Sequence, residues 1–132
     1  MTPRSRLDLA RVLLARAADD EALVRKVASD SDISDAIVGF HAQQAVEKQI
    51  KAVLAARRIK FAKSHALDYL IGLVEQHGVA APPALGLADM LSPWAVEFRY
   101  EGEDPPALDR EQALQLVAEL RGWAENEINA AS

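Results

Sequence analysis

The sequence predicts an all-α protein, an up-and-down bundle of four to five helices. Apolar residues recur every three or four positions over several long stretches, which is the pattern of amphipathic helices. Alanine is frequent, the alternation of Val, Thr and Tyr that marks strands is scarce, and only six glycines are present. A chain of 132 residues is long enough to enclose one hydrophobic core, so residues 1–132 are expected to form a single domain.

The first helix is predicted to run from about Arg6 to Ala28. Ser5, three positions before Asp8, is placed to cap its N-terminus. The apolar stripe comprises Leu7, Ala10, Leu14, Ala17, Val24 and Val27. The polar run at 29–32 then ends the pattern, and Ser31 or Asp32 is expected to cap a second helix that continues to about Arg57.

The second helix carries two distinct faces. Its predicted core stripe consists of Val38, Ala42, Ala45, Val46, Ile50 and Val53. The opposite face carries Phe40, Gln43, Gln44, Glu47 and Lys51, with His41 and Lys48 near its edge. One interpretation is a solvated face on which Glu47 and Lys51 form an i,i+4 pair and Phe40 covers a neighbouring helix. Another is a dimer contact through Phe40, Gln43 and Glu47, because an aromatic ring among amides suits a semi-polar interface.

Three further helical segments follow. The third helix is expected to start at a Ser64 cap and to end at Gly78. The fourth is expected to be kinked or split near Pro93. The last is expected to start at Asp109, with Gln112 completing a capping box. Their predicted apolar stripes are Leu67, Leu70, Ile71 and Val74; then Leu85, Leu87, Met90, Leu91, Trp94, Ala95 and Phe98; and finally Ala113, Leu116, Val117, Leu120, Trp123, Ala124 and Ile128.

Positive charge is concentrated in one segment of an acidic chain. The net charge is -5, yet the stretch 48–67 holds six cations and no acidic residue, which leaves -11 on the remainder. These cations are Lys48, Lys51, Arg57, Arg58, Lys60 and Lys63. The segment could attract phosphate. It is equally consistent with the end of a helix, where cations are favoured by the helix dipole.

Several classes of function are disfavoured by composition. The chain has no cysteine, so disulfides and thiolate metal sites are excluded, and its three histidines are too scattered to predict a metal centre. No cofactor motif such as a glycine-rich phosphate loop is present. Without an uninterrupted apolar stretch to serve as a signal peptide or membrane span, we expect a soluble cytoplasmic protein.

Four motifs in order resemble the HEPN family of small helical domains. The stretch 40–48, Phe-His-Ala-Gln-Gln-Ala-Val-Glu-Lys, and the following 50–54, Ile-Lys-Ala-Val-Leu, are similar to the family's central helix. Ser-His-Ala-Leu at 64–67 resembles the start of its next helix, and the stretch from Ser92 to Tyr100 resembles its segment ending in Arg-Tyr. The resemblance covers roughly residues 5 to 128.

The resemblance implies a helical module that binds a nucleotide or RNA, forms a homodimer and works with a minimal nucleotidyltransferase in a toxin-antitoxin-like system. It implies a polar nucleotide cleft bordered by His41, Gln44, Lys48, Lys51, His65, Arg99 and Tyr100. The alternative is a structural dimerisation or protein-interaction module that binds no ligand.

Ribonuclease activity is disfavoured. Nuclease members of the wider superfamily resemble one another in an Arg-x(4-6)-His motif on the late helices, whereas no histidine follows Arg99 at that spacing. Arg58 and His65 do have that spacing, but they lie in the wrong part of the chain for this motif. The chain is therefore not expected to be an enzyme of this type.

Overall fold

The computed structural model describes residues 5–95 and 107–132, and within these ranges it contains helices and no strand. The elements are α1 (Arg6–Val27), α2 (Asp35–Ala56), α3 (Leu67–Gln76), α4 (Ala84–Leu87), a 3₁₀ helix (Ala88–Trp94) that continues α4, and α5 (Arg110–Ala131). The predicted all-α bundle is confirmed. None of the helices in the described ranges is both long and apolar enough to cross a membrane.

Helix α2 is the centre of the bundle. It packs against α1, α3, α5 and the 3₁₀ helix, while α1 and α5 also contact each other. Every residue of its predicted core stripe is fully buried, and every member of the predicted stripes of α3 and α5 is buried, with at most 8% exposure. Helical periodicity therefore identified the core faces of these three helices correctly. In the predicted stripe of α1, Ala10, Ala17 and Val24 are buried, whereas Leu7, Leu14 and Val27 are half-buried.

The helix caps agree with those predicted from the sequence at two sites and differ from them at two. Ser5 accepts a hydrogen bond from the Asp8 amide, and Asp109 accepts one from the Gln112 amide, as predicted. The cap of α2 is Ser34, whose hydroxyl accepts from the Ile37 amide, so the prediction of Ser31 or Asp32 was wrong.

The reason for the shift at α2 is a local turn that competes with the helix. The Asp30 carboxylate accepts from the Asp32 amide, and the Ile33 amide donates to the Asp30 carbonyl. At α3 the prediction also fails, because Ser64 accepts from the amide of Ala66 and the helix starts only at Leu67 without a side-chain cap.

The fourth predicted helix is shorter and tighter than the sequence indicates. Its α-helical part ends at Leu87, and the 3₁₀ helix that follows contains Pro93. The change of helix type rotates Leu87 out of the predicted stripe, and this residue is 55% exposed. Phe98, also assigned to this stripe, lies outside the described residues.

Candidate functional site

The polar face of α2 is covered at Gln43 and Glu47, so the interpretation as a solvated face was wrong there, although the predicted i,i+4 pair of Glu47 and Lys51 is present. Gln43 has no exposed surface and Glu47 is 3% exposed. The chain between α2 and α3 covers this face, and the Gln43 amide nitrogen Nε2 donates to the His65 carbonyl at 3.1 Å. Of the three residues assigned to a dimer contact, only Phe40 keeps appreciable surface; its ring meets the His41 ring edge-on at 5.2 Å.

Glu47 lies at the centre of one polar cluster. Its carboxylate accepts hydrogen bonds from Lys51 Nζ at 3.0 Å, from Gln43 Nε2 at 3.2 Å, and from His65 Nδ1 at 3.0 and 3.1 Å. The His65 side chain is 75% exposed, whereas that of Glu47 is 3% exposed. Because an ionised carboxylate only accepts, it holds the proton on Nδ1 and leaves Nε2 of the neutral ring as an acceptor. The arrangement presents an oriented imidazole at the surface.

Asp20 forms the centre of a second polar cluster. It accepts from Lys48 Nζ at 2.6 Å and from His41 Nδ1 at 3.0 Å, which ties α1 to α2. The side chains of Asp20 and His41 are 13% and 26% exposed. This histidine, too, has its Nδ1 held by a carboxylate, although in a more enclosed position than His65.

A pair of glutamines extends the Glu47 cluster. Gln44 Nε2 donates to Gln43 Oε1 at 2.7 Å, and Gln43 in turn donates to Glu47. The two clusters together contain five of the residues predicted to border a nucleotide cleft. His41 and Lys48 lie around Asp20, and Gln44, Lys51 and His65 belong to the Glu47 cluster. The other two, Arg99 and Tyr100, lie outside the described residues. Asp20 was missed, because nothing in the sequence around it indicates which distant residues it contacts.

The basic segment is only partly available to an anion. Lys48 and Lys51 are paired with Asp20 and Glu47, and Arg57 Nε lies 2.7 Å from Glu127 Oε2. The hydrogen bond to Glu127 and the charge of that carboxylate raise the pKa of Arg57, so this guanidinium stays charged and engaged. Within the described parts of the chain, the cations of this segment without a carboxylate partner are Arg58, Lys60 and Lys63.

The described residues include no group of three or more His, Asp or Glu side chains able to hold a metal ion. The two clusters present imidazole and amide groups that can form hydrogen bonds, together with lysines that are already paired with carboxylates. Such a surface can recognise the polar edges of a ligand.

Comparison with known proteins identifies the family. The HEPN domain model matches residues 10–127, which covers both polar clusters and all the helices except the first few residues of α1 and the end of α5. The chain belongs to the HEPN domain family, as the order of its motifs predicted. No curated protein and no solved structure matches the chain.

Proposed function

We propose that this HEPN domain binds a nucleotide or RNA at the surface formed by the Glu47 and Asp20 clusters. HEPN domains are helical modules that are often related to nucleotides or RNA. The observation that carries the proposal is the His65 imidazole, 75% exposed and oriented by the nearly buried carboxylate of Glu47. A ring fixed in this way loses little conformational entropy when it meets a ligand.

The two clusters have groups for more than one part of such a ligand. The Nε2 atoms of His65 and His41 can accept from a base or ribose, and the half-buried Gln44 offers an amide. Lys48 and Lys51 are neutralised by their carboxylates, so the attraction for phosphate is assigned instead to Lys63, an exposed cation two residues before His65.

The experiment is a binding titration of ATP, GTP, CTP, UTP and a short single-stranded RNA at fixed ionic strength. His65→Ala is expected to weaken binding about tenfold, the loss of one to two good hydrogen bonds. The matched control is His77→Ala, which removes the exposed histidine that follows α3 and whose ring hydrogen-bonds to the Leu73 carbonyl of its own helix. Equal affinity of the His65 and His77 variants would refute the site.

Lys63→Ala tests the source of the electrostatic attraction. Its removal is expected to weaken binding. It should also lower the salt dependence of the affinity, because binding then releases fewer counterions from the ligand. The double change of Lys48 and Lys51 is a poor test, since Lys51 neutralises the nearly buried Glu47 and its loss should also destabilise the fold. An unaltered salt dependence for Lys63→Ala would contradict its assignment.

We further propose that the module acts as a cytoplasmic homodimer that works with a nucleotidyltransferase in a toxin-antitoxin-like pair, as the family resemblance implies. Phe40 supports the dimer, because it is the member of the predicted contact that retains surface. Phe40→Asp should convert the dimer to monomers in light scattering coupled to size exclusion. A wild-type protein that is monomeric at micromolar concentration would contradict this part of the proposal.

A further inference from the structure

A second surface feature lies away from the polar clusters, where the first turns of α1 meet the end of α2. It is an open pocket of about 590 Å³, a size typical of small-molecule sites. Its apolar lining is formed by Leu9, Ala55, Ile59 and Phe61. Beneath it lies a small secondary core in which Ala10, Ala52, Ala55 and Ala56 are buried. Because alanines fill little volume, the surface here is left concave.

Three cations complete the lining of this pocket: Arg6, Arg58 and Lys60. No carboxylate is among the described residues that line it, and none of the three forms an ion pair with a described residue. Arg6 Nη1 donates to the Ala56 carbonyl at 3.0 Å, which leaves its charge uncompensated. In a chain whose net charge is -5, three such cations around one apolar depression form a local site for an anion.

The backbone of Arg58 is an independent indication that its side chain is required. Arg58 has a φ of 62°, in the left-handed region, and directly follows the last capping position of α2. The Ile59 amide donates to the Leu54 carbonyl at 2.9 Å, which closes the helix with a Schellman-type turn. Glycine is the favoured residue at this position, whereas other residues are strained there. An arginine here keeps a guanidinium at the pocket at the expense of backbone strain.

Stabilisation of the helix end does not by itself account for these cations. A cation near the C-terminus of α2 interacts favourably with the helix dipole, and Arg6 also satisfies a terminal carbonyl. That role is already filled by Arg57, held in place by Glu127. It explains neither the strained Arg58 nor the apolar lining next to it.

We propose that this pocket binds an amphiphilic anion: a carboxylate that carries a single alkyl chain. The head group would meet Arg6, Arg58 and Lys60, and the chain would lie against the apolar lining. A nucleotide suits the pocket less well, because the lining side chains that the structure describes offer no neutral donor or acceptor to recognise a base or a ribose. The inference concerns a different site from the nucleotide surface and does not depend on it.

The test is a calorimetric or NMR titration of the wild-type protein with butanoate, hexanoate and octanoate at fixed ionic strength. Each added methylene that becomes buried should tighten the dissociation constant by up to about fourfold. Inorganic phosphate and AMP, titrated in parallel, are expected to bind more weakly than octanoate. Any one of three results would overturn the proposal. These are an affinity that does not rise with chain length, tighter binding of AMP than of octanoate, and no binding of octanoate at millimolar concentration.

Variants at the pocket separate ligand binding from folding. Arg58→Gly relieves the left-handed strain, so it should leave the melting temperature unchanged or raise it while weakening octanoate binding about tenfold. Lys60→Glu, which places a carboxylate at the lining, should weaken binding further. Arg16→Ala removes an exposed cation of α1 that does not line the pocket and serves as the control. If Arg58→Gly binds octanoate as tightly as the wild type and Arg16→Ala, the assignment of the head-group site is wrong.

Discussion

Gly39 of α2 lies against the indole of Trp94, so closely that a Cβ on residue 39 would stand 2.6 Å from Cγ and Cδ2 of the ring. Trp94 is 2% exposed and lies at the end of the 3₁₀ helix, where the surrounding core restricts any movement of the ring. The missing side chain thus allows the 3₁₀ helix to approach α2. Residue 39 is glycine because of this packing rather than because of its backbone conformation, which is helical.

We predict that Gly39→Ala destabilises the protein, because overpacking a well-filled site costs about 1–3 kcal/mol. Alanine brings a gain of about 1 kcal/mol to a helix interior, so the net loss should reach at most about 2 kcal/mol. Urea unfolding followed by circular dichroism measures the difference. The control is Gly72→Ala in α3, where a Cβ would meet no atom within 4 Å and stability should rise. Equal and positive effects of the two substitutions would contradict the close approach of Trp94.

The carboxylate of Glu47 gives a second prediction. Glu47→Ala should cost about 3 kcal/mol, since it removes a nearly buried charge, leaves Lys51 without its carboxylate partner and removes one of the two acceptors of Gln43. Chemical denaturation monitored by tryptophan fluorescence measures this loss. Glu125→Ala is the matched control, because this glutamate of α5 is 53% exposed and lies 3.9 Å from Arg121. The substitution should change stability by less than about 0.5 kcal/mol. A similarly small loss for Glu47→Ala would show that its cluster contributes little to the fold.

Helical periodicity was sufficient to find the core but not to tell a solvated face from a covered one. All six predicted core residues of α2 are fully buried, because an angular position on a helix is a property of the sequence alone. Whether the opposite face meets water depends on where the chain between α2 and α3 runs. That path places the His65 carbonyl over Gln43, a contact 22 residues apart that no local pattern encodes.

The polar clusters show a similar limit. The resemblance to the family's motifs selected His41, Lys48 and His65, and these residues do lie in the two polar clusters. The partner Asp20 could not be predicted, since it comes from a different helix and its neighbour Asp19 has the same side chain. The number of charges in a segment did not predict how many remain unpaired, because that depends on such distant partners.

The start of α2 offers a test of the corrected cap. Ser34→Ala should destabilise the protein by about 1 kcal/mol, because it leaves the Ile37 amide without its side-chain acceptor. Ser31→Ala, at the position that the sequence favoured, should have an effect within about 0.5 kcal/mol. Thermal unfolding of the two variants side by side measures the difference. A larger loss at Ser31 would place the cap where the sequence predicted it.

Arg110, the first residue of α5, closes the end of the bundle through one guanidinium. Its Nε donates to Asp35 Oδ1 at 2.9 Å, and its Nη1 donates to the carbonyls of Ala28 and Asp30, each at 3.1 Å. Its Nη2 donates to the Ile33 carbonyl. The turn between α1 and α2 is thereby held against the start of α5, and the carbonyls at the end of α1 gain partners that the helix itself cannot supply.

We predict that Arg110→Ala destabilises the protein by about 2–3 kcal/mol, since several carbonyls lose a charged donor at once. Arg110→Lys should recover only part of this loss, because an ammonium group cannot reproduce the planar set of donors that reaches the carboxylate and the carbonyls together. Arg11→Ala is the control: this exposed arginine of α1 donates to the Ser132 hydroxyl at 3.2 Å, and its removal should cost less than about 0.5 kcal/mol. Urea denaturation of all three variants measures the order. Full recovery of stability by Arg110→Lys would mean that charge alone holds this end of the bundle. If Arg110→Ala loses no more stability than Arg11→Ala, the contacts of Arg110 to the turn contribute nothing.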